Sequence, residues 1–289
     1  MPFEPYTRLH TLAGSHVSGV NVLAFSSCGR YLASGSNDKS IIIWDPISGK
    51  SLQRIFVKDE VSSLIWHPRN CALYFGCQDG TLIVVENFSN TGCEVLTGIT
   101  ASVDALDVDA ESNYLAIGVG SEVQVSKKIT EYTYATFVIM PSPPKLVLEK
   151  EGDDERIRPR SVHLLPGGSQ LIVSYLNHGI VCWDVLTREK VWSITPTHQH
   201  HHIGFSALSP DFQHLLVYNL KDGMDIYEFG NSVPWRSFKQ TPDAHRNYPM
   251  MTSFLNGGKS VLCGSQGGDV RIWDTASGIH QQTLSHNGA

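Results

Sequence analysis

Short apolar runs and polar turns alternate along almost the whole chain, and the apolar runs are too brief and too unbroken to be helix faces. Six segments share one layout of three strands separated by two turns, over residues 20–45, 61–86, 103–126, 160–184, 204–228 and 250–274. First strands such as Val20–Phe25 and Val61–Trp66 end at SSCG, HPRN, DAES, PGG, SPD or NGG. Those residues accept tight-turn dihedrals that β-branched side chains resist. Third strands (IIIW, LIVV, GIVCW) are near-continuous apolar runs, the pattern of a strand covered on both faces. With Trp44, Val85, Val125, Trp183, Tyr227 and Trp273 taken as equivalent, the steps are 41, 40, 58, 44 and 46 residues. A period near 40–45 is that of a four-stranded propeller blade. The pattern predicts an all-β fold, a β-propeller of four-stranded antiparallel blades, with six blades evident.

The best repeat runs from Gly14 to Asp45 and resembles the WD-repeat β-propellers, a likeness that extends from about Tyr6 to Leu284. His16 matches the family's histidine before the first strand, Ser34 or Ser36 its second-strand hydroxyl, Asp38 its turn aspartate, and Trp44-Asp45 its signature pair. The resemblance implies a structural tetrad of His16, Ser34, Asp38 and Trp44, linked from indole N–H to hydroxyl to imidazole to carboxylate. The other repeats depart from this set. Trp183-Asp184 has Asn177 at the turn position, and Trp273-Asp274 has Gly267. The second repeat keeps Asp79-Gly80 but ends Val85-Glu86, the fifth keeps Asp222-Gly223 with Tyr227-Glu228, and the third keeps none of the signature.

Composition narrows the function classes. Hydrophobic residues are 41% and charged residues 17%, enough to bury a large core. Lys+Arg 22 against Asp+Glu 28 leaves a net charge of −6, which argues against a chain-wide grip on nucleic acid or anionic membrane. No apolar stretch approaches the ~18 residues needed to span a bilayer, and the N-terminus lacks a signal-peptide layout. The six cysteines form no C-x-x-C pair and sit mostly in apolar runs. That usage is read as reduced, buried thiols in the cytoplasm or nucleus.

Chemistry is sparse. There is no G-x-S-x-G, H-E-x-x-H, G-x-x-x-x-G-K-[ST] or strand–G-x-G-x-x-G–helix unit. The histidines at 198, 200, 201 and 202 (His198, His200, His201, His202) are the one metal-like tract. Adjacent residues in an extended segment point to opposite sides, so a structural loop is the plainer reading. His163 lies in an apolar strand and reads as a satisfied core histidine. The step from Val125 to Trp183 holds an insertion whose part 149–160 is a charged loop, and a solvated loop is its plainer reading. No cofactor, metal site or small-molecule substrate is expected.

From the resemblance follows the expectation of a non-catalytic protein-interaction scaffold that docks partner proteins or peptides on its loop face. There Asn37, Lys39, Gln78, Glu122, His178, Lys221 and Gln266 would ring a central channel, bordered by Tyr248. A chromatin or histone-tail reader and, behind it, a metal-dependent propeller enzyme stay open as alternatives. Outer strands are expected at Tyr6–Leu12, Ser51–Phe56, Cys93–Thr97, Tyr134–Leu148, Glu189–Ile194, Trp235–Phe238 and Ile279–Leu284. Seven outer strands against six inner sets favour a seven-blade design cut short at Ala289, and a chain that is aggregation-prone or dependent on a partner strand, over the alternative of a six-bladed ring with Ile279–Leu284 closing its own blade and Tyr6–Leu12 left over.

Overall fold

A computed structural model describes residues 4–87, 92–130, 133–144, 156–196, 202–240, 249–265 and 267–285. The first blade comprises β1 (Val20–Phe25), β2 (Leu32–Ser36), β3 (Ser40–Asp45) and β4 (Lys50–Phe56). The second comprises β5 (Val61–Trp66), β6 (Ala72–Cys77), β7 (Leu82–Glu86) and the short β8 (Cys93–Glu94). The third holds β9 (Val103–Asp109), β10 (Tyr114–Val119), β11 (Glu122–Thr130) and β12 (Thr133–Ile139). The fourth holds β13 (Pro159–Leu164), β14 (Gln170–Tyr175), β15 (Gly179–Asp184) and β16 (Lys190–Ile194). The fifth is β17 (Ile203–Leu208), β18 (His214–Asn219), β19 (Gly223–Glu228) and β20 (Arg236–Lys239). The sixth is β21 (Thr252–Leu255), β22 (Ser260–Gly264), β23 (Asp269–Asp274) and β24 (His280–Ser285). Each sheet is antiparallel with its strands in chain order, so the fold is a six-bladed β-propeller.

The apolar patterning explains the packing. In the first two blades the second strands are covered on both faces: every residue of β2 and β6 is buried, as are the first five of β3. Blades press together through shared cores. Val22, Ile41 and Ile43 of the first blade meet Leu64, Trp66 and Phe75 of the second. Contact is close enough to require glycine at Gly76, where an added Cβ would stand 2.4 Å from Val103 of the third blade. A methyl there would have to displace the next inner strand.

Two expectations need correction. Tyr6–Leu12 is not a strand: it runs as an extended strap whose Tyr6 backbone N–H donates to Gln282 Oε1 at 2.8 Å. The anchor is thus a side chain of β24, not a strand ladder. Trp235 precedes the fifth outer strand, which starts one residue later because the Trp235 N–H turns to the Ile226 carbonyl at 2.7 Å. In the insertion β12 ends at Ile139, and Leu148 lies outside the described residues.

Candidate partner-docking face

Five of the six first strands carry an irregularity at one place. Register with the second strand skips a residue at Asn21, Ser62, Asp104, Arg160 and Gly204. A β-bulge re-aims the extra residue, here toward the propeller axis. All five line a central channel of about 770 Å³. Three bind across to the next blade. Asn21 Nδ2 donates to the Val61 carbonyl at 2.9 Å, Ser62 Oγ to the Val103 carbonyl at 2.7 Å, and Arg160 Nε to the Gly204 carbonyl at 3.3 Å. The bulges therefore stitch inner strands together and decide what the channel mouth displays.

Asn37, Glu60, Gln78 and Ser102 also line the channel. Gln78 Nε2 donates to Glu60 Oε2 at 2.9 Å, and Asn21 donates to Asn37 Oδ1. Burial lowers the Arg160 guanidinium below its ordinary value, while Asp104 pulls it back toward the charged form. Farther along the wall, burial pushes the Asp107 carboxyl up to about 6, against backbone N–H bonds from Leu164 and Val108. Burial also lowers His163 to about 4, and its Nε2 meets Ser206 Oγ at 3.0 Å.

Among the residues singled out from sequence, Asn37 and Gln78 line the channel and the others stand back from it. Lys39 pairs with Asp59 at 2.9 Å. Glu122, at the start of β11, and Lys221, in a turn, are exposed, and His178 packs edge-on against Tyr175. Tyr248, Gln266, His198, His200 and His201 lie outside the described residues. His202 is exposed, with its carbonyl accepting the Leu220 N–H at 2.8 Å. Among the described residues no group of three or more His, Cys, Asp or Glu is placed to hold a metal ion. Sequence reasoning missed Asn21, Ser62 and Asp104. Their signal was a polar or charged residue at the second position of successive first strands (VNV, VSS, VDA), where alternation would change partway along the strand.

Beside the mouth, the first blade carries a closed polar chain. The Trp44 indole N–H donates to Ser34 Oγ at 2.9 Å. Ser34 then has its proton for His16 Nε2 at 2.8 Å, and His16 Nδ1–H faces Asp38 Oδ2 at 2.9 Å. Ser36 instead donates to the Gly19 carbonyl at 2.9 Å. Burial works against the Asp38 carboxylate, but bonds from Ser40, the Val17 N–H and His16 prevail and hold it well below the usual carboxylate range. In strand register Val173 and Cys263 stand where Ser34 does, so neither other Trp-Asp blade offers that hydroxyl to its indole.

Fold and first repeat together define the class: the chain is a β-propeller whose first repeat is of the WD type. Residues 6–45 match the family model described as WD domain, G-beta repeat. The crystal structure of the Myceliophteria thermophila Cps50 (Swd1) beta-propeller domain is similar at TM-score 0.73 and 18% identity, over 94% of this chain and 88% of that one. Ribosomal RNA-processing protein 9 of Saccharomyces cerevisiae is 26% identical over 55% of this chain and 29% of its own length. The Chromatin assembly factor 1 subunit FAS2 homolog of Oryza sativa subsp. japonica is 34% identical over 34% of this chain and 19% of its own. Protein tipD of Dictyostelium discoideum is 19% identical over 94% of this chain and 42% of its own. The chain thus spans less than half of each of the three curated relatives.

Proposed function

We propose that the protein is a non-catalytic interaction scaffold that docks a peptide segment of a partner protein at the channel mouth. The observation that carries this reading is the series of bulges that turns Asn21, Ser62, Asp104 and Arg160 onto one opening beside Asn37, Glu60 and Gln78. Such a mouth offers amide, carboxylate and guanidinium groups to an extended peptide, whose own N–H and C=O groups need partners once dehydrated. Asn21, Ser62 and Arg160 are fixed by the inter-blade bonds already described, so less ordering cost falls on the protein side. Relatives named for ribosomal RNA processing and chromatin assembly favour work in a nuclear assembly. A histone-tail-like ligand is one basic peptide of the kind that Glu60 and Asp104 would attract.

The test is recovery of native partners on the tagged chain, with the triple change Asn37→Ala, Gln78→Ala and Arg160→Gln. The mouth variant should lose a partner at least tenfold. The exposed far-side pair Arg69→Ala and Glu111→Ala, whose side chains meet at 3.2 Å, should retain it. Equal recovery on both variants would overturn the reading.

A further inference from the structure

The fifth and sixth blades leave a cleft of about 400 Å³ between their turns, and it shares no lining residue with the channel. In the fifth blade the bulge stands at Gly204, where β17 begins, whereas the cleft opens past the other end of that strand, at Pro210, Asp211 and His214. From the sixth blade come Phe254, Gly257, Gly258, Lys259 and Thr275. The cleft therefore faces away from the channel mouth and can be engaged separately from it.

Its aromatic groups are held in place without being buried. Trp235 is 45% exposed, yet its ring centroid lies 5.6 Å from that of His214 and 5.6 Å from the Arg236 guanidinium carbon. Arg236 is fixed in turn, because Nη2 donates to the Ala276 carbonyl of the sixth blade. Ile226 of β19, itself fully buried, lines the cleft as well. Phe212, between the lining residues Asp211 and His214, is 46% exposed at a φ of 57°, and Val233 is 62% exposed. A bulky side chain is rarely placed in left-handed backbone, and strain of that kind collects at binding sites.

The polar groups of the cleft divide into satisfied and unsatisfied. Asp211 Oδ1 accepts the Ser209 hydroxyl at 2.5 Å and the Gln213 N–H at 3.2 Å. Asp274 Oδ1 accepts the Ser277 N–H and hydroxyl, each at 2.7 Å. Thr275 differs. It is 8% exposed, and its Oγ1 is buried without a hydrogen-bond partner, although its backbone N–H donates to the Lys259 carbonyl at 2.9 Å. A buried hydroxyl left unpaired is costly, which points to a partner supplied from outside the fold. Lys259 is exposed and has no ion-pair partner among the described residues.

We propose that this cleft docks a peptide segment of a partner protein that carries one large apolar residue beside an aspartate or glutamate. The apolar side chain lies against Trp235 and Phe254, a backbone amide of the segment pairs with Thr275 Oγ1, and the acidic side chain reaches Lys259. Charge selects the acidic flank, because both carboxylates of the cleft already have donors whereas Lys259 has no counter-charge among the described residues. Extent selects a peptide. The cleft's volume of about 400 Å³ is near the small end of the roughly 300–1,000 Å³ of ligand cavities. A molecule confined to it would leave Phe212 and Val233 bare, whereas a peptide running across the turns covers them. A fixed tryptophan beside an arginine is the composition of an interface hot spot. The site is independent of the mouth, so the protein would hold two segments at once, on opposite faces.

A library of random dodecapeptides displayed on phage and selected against the full chain tests this. Clones should converge on one large apolar residue with an Asp or Glu within two positions. In fluorescence anisotropy, synthetic versions of those clones should bind Trp235→Ala at least tenfold more weakly. They should bind Thr275→Val several-fold more weakly, while its thermal stability does not fall, because the hydroxyl has no partner within the fold. A repeat selection on Lys259→Glu should return Lys or Arg in place of the acid, a reversal that no folding defect would produce. The mouth variant Asn37→Ala, Gln78→Ala and Arg160→Gln should retain these clones in full, so this site and the mouth can fail separately. A selection that yields no clone dependent on Trp235, or the same flanking charge with Lys259 and with Lys259→Glu, would overturn the proposal. So would a dimer of the chain that Trp235→Ala dissolves, since the cleft would then be a self-interface.

Discussion

Ser34 is the link through which the polar chain of the first blade can be broken most cleanly. It is 3% exposed, receives the Trp44 indole N–H and supplies a proton to His16 Nε2. Ser34→Ala removes little volume but orphans two buried groups, each at about 1–3 kcal/mol. Partial relaxation of the loop that carries His16 lowers the sum, so we expect a loss of roughly 2–4 kcal/mol for the blade. Trp44→Phe deletes the donor, and Ser34→Ala made on top of it then orphans only His16. The double variant should therefore cost on the order of 1–2 kcal/mol less than the sum of the singles. His16→Ala combined with Ser34→Ala should fall short of additivity in the same way. The assay should be local, because blades in a repeat array need not unfold as one unit. Amide hydrogen exchange over Ile41–Trp44, in β3, reads the opening free energy of this blade directly. Additivity within about 0.5 kcal/mol for both pairs would refute the linked chain.

Gly76→Ala should destabilise the second and third blades by about 1–3 kcal/mol, seen as faster exchange in β6 and β9, because its Cβ would press on Val103. Burial lowers His163 to about 4 in the folded state, so the unfolded chain binds the extra proton and His163 makes stability rise with pH between roughly 4 and 6.5. Asp107, pushed up to about 6, acts oppositely and makes stability fall as pH rises from roughly 4 to 6. Asp107→Asn should therefore expose a rising profile and His163→Gln a falling one in urea titrations across pH 4–6.5; parallel profiles would contradict both assignments. Asp38 is held low, so its contribution is complete above about pH 4 and is lost as pH falls further, and Asp38→Asn should flatten that acid limb. Cys28 is exposed and its thiol is lowered to about 7 by Ser26 and Arg30, whereas burial pushes Cys77 up to about 11 and Cys182 and Cys263 up to about 12. A thiol reagent read by mass spectrometry should label Cys28 in the folded chain and reach those three only on unfolding.

The propeller was legible because its information lies in features that repeat. Turn chemistry at SSCG, HPRN and PGG, and apolar third strands such as IIIW and GIVCW, recur at one period, so each blade supports the reading of the next. Outer strands were less legible. β8 is two residues long and β4 alternates exposed and half-buried positions, so their patterning carries little hydrophobic signal. Tyr6–Leu12 misled for a related reason. Its composition suits an outer strand, but Tyr6 is held by the side chains of Gln282 and Asn256 rather than by a neighbouring strand.

The candidate site was legible only in part, and the reason is geometric. Which residues face the axis is set by the bulges, and a one-residue bulge turns a side chain that strict alternation would send between blades. Lys39, Glu122 and Lys221 were chosen from turn position, which gives the correct side of the propeller but not the distance from the axis. Asn21, Ser62, Asp104 and Arg160 come from strand interiors, where a charged or amide side chain would ordinarily argue against burial. The two facts resolve each other. A polar residue is tolerated at that position because the bulge delivers it to the channel, where Asn21, Ser62 and Arg160 also meet the carbonyl of the next inner strand. It follows that these positions can vary in chemistry without disturbing the inter-blade cores, whereas a side chain at Gly76 would press on Val103. A scaffold built this way can change what it recognises at the mouth while the packing that keeps the mouth rigid stays the same.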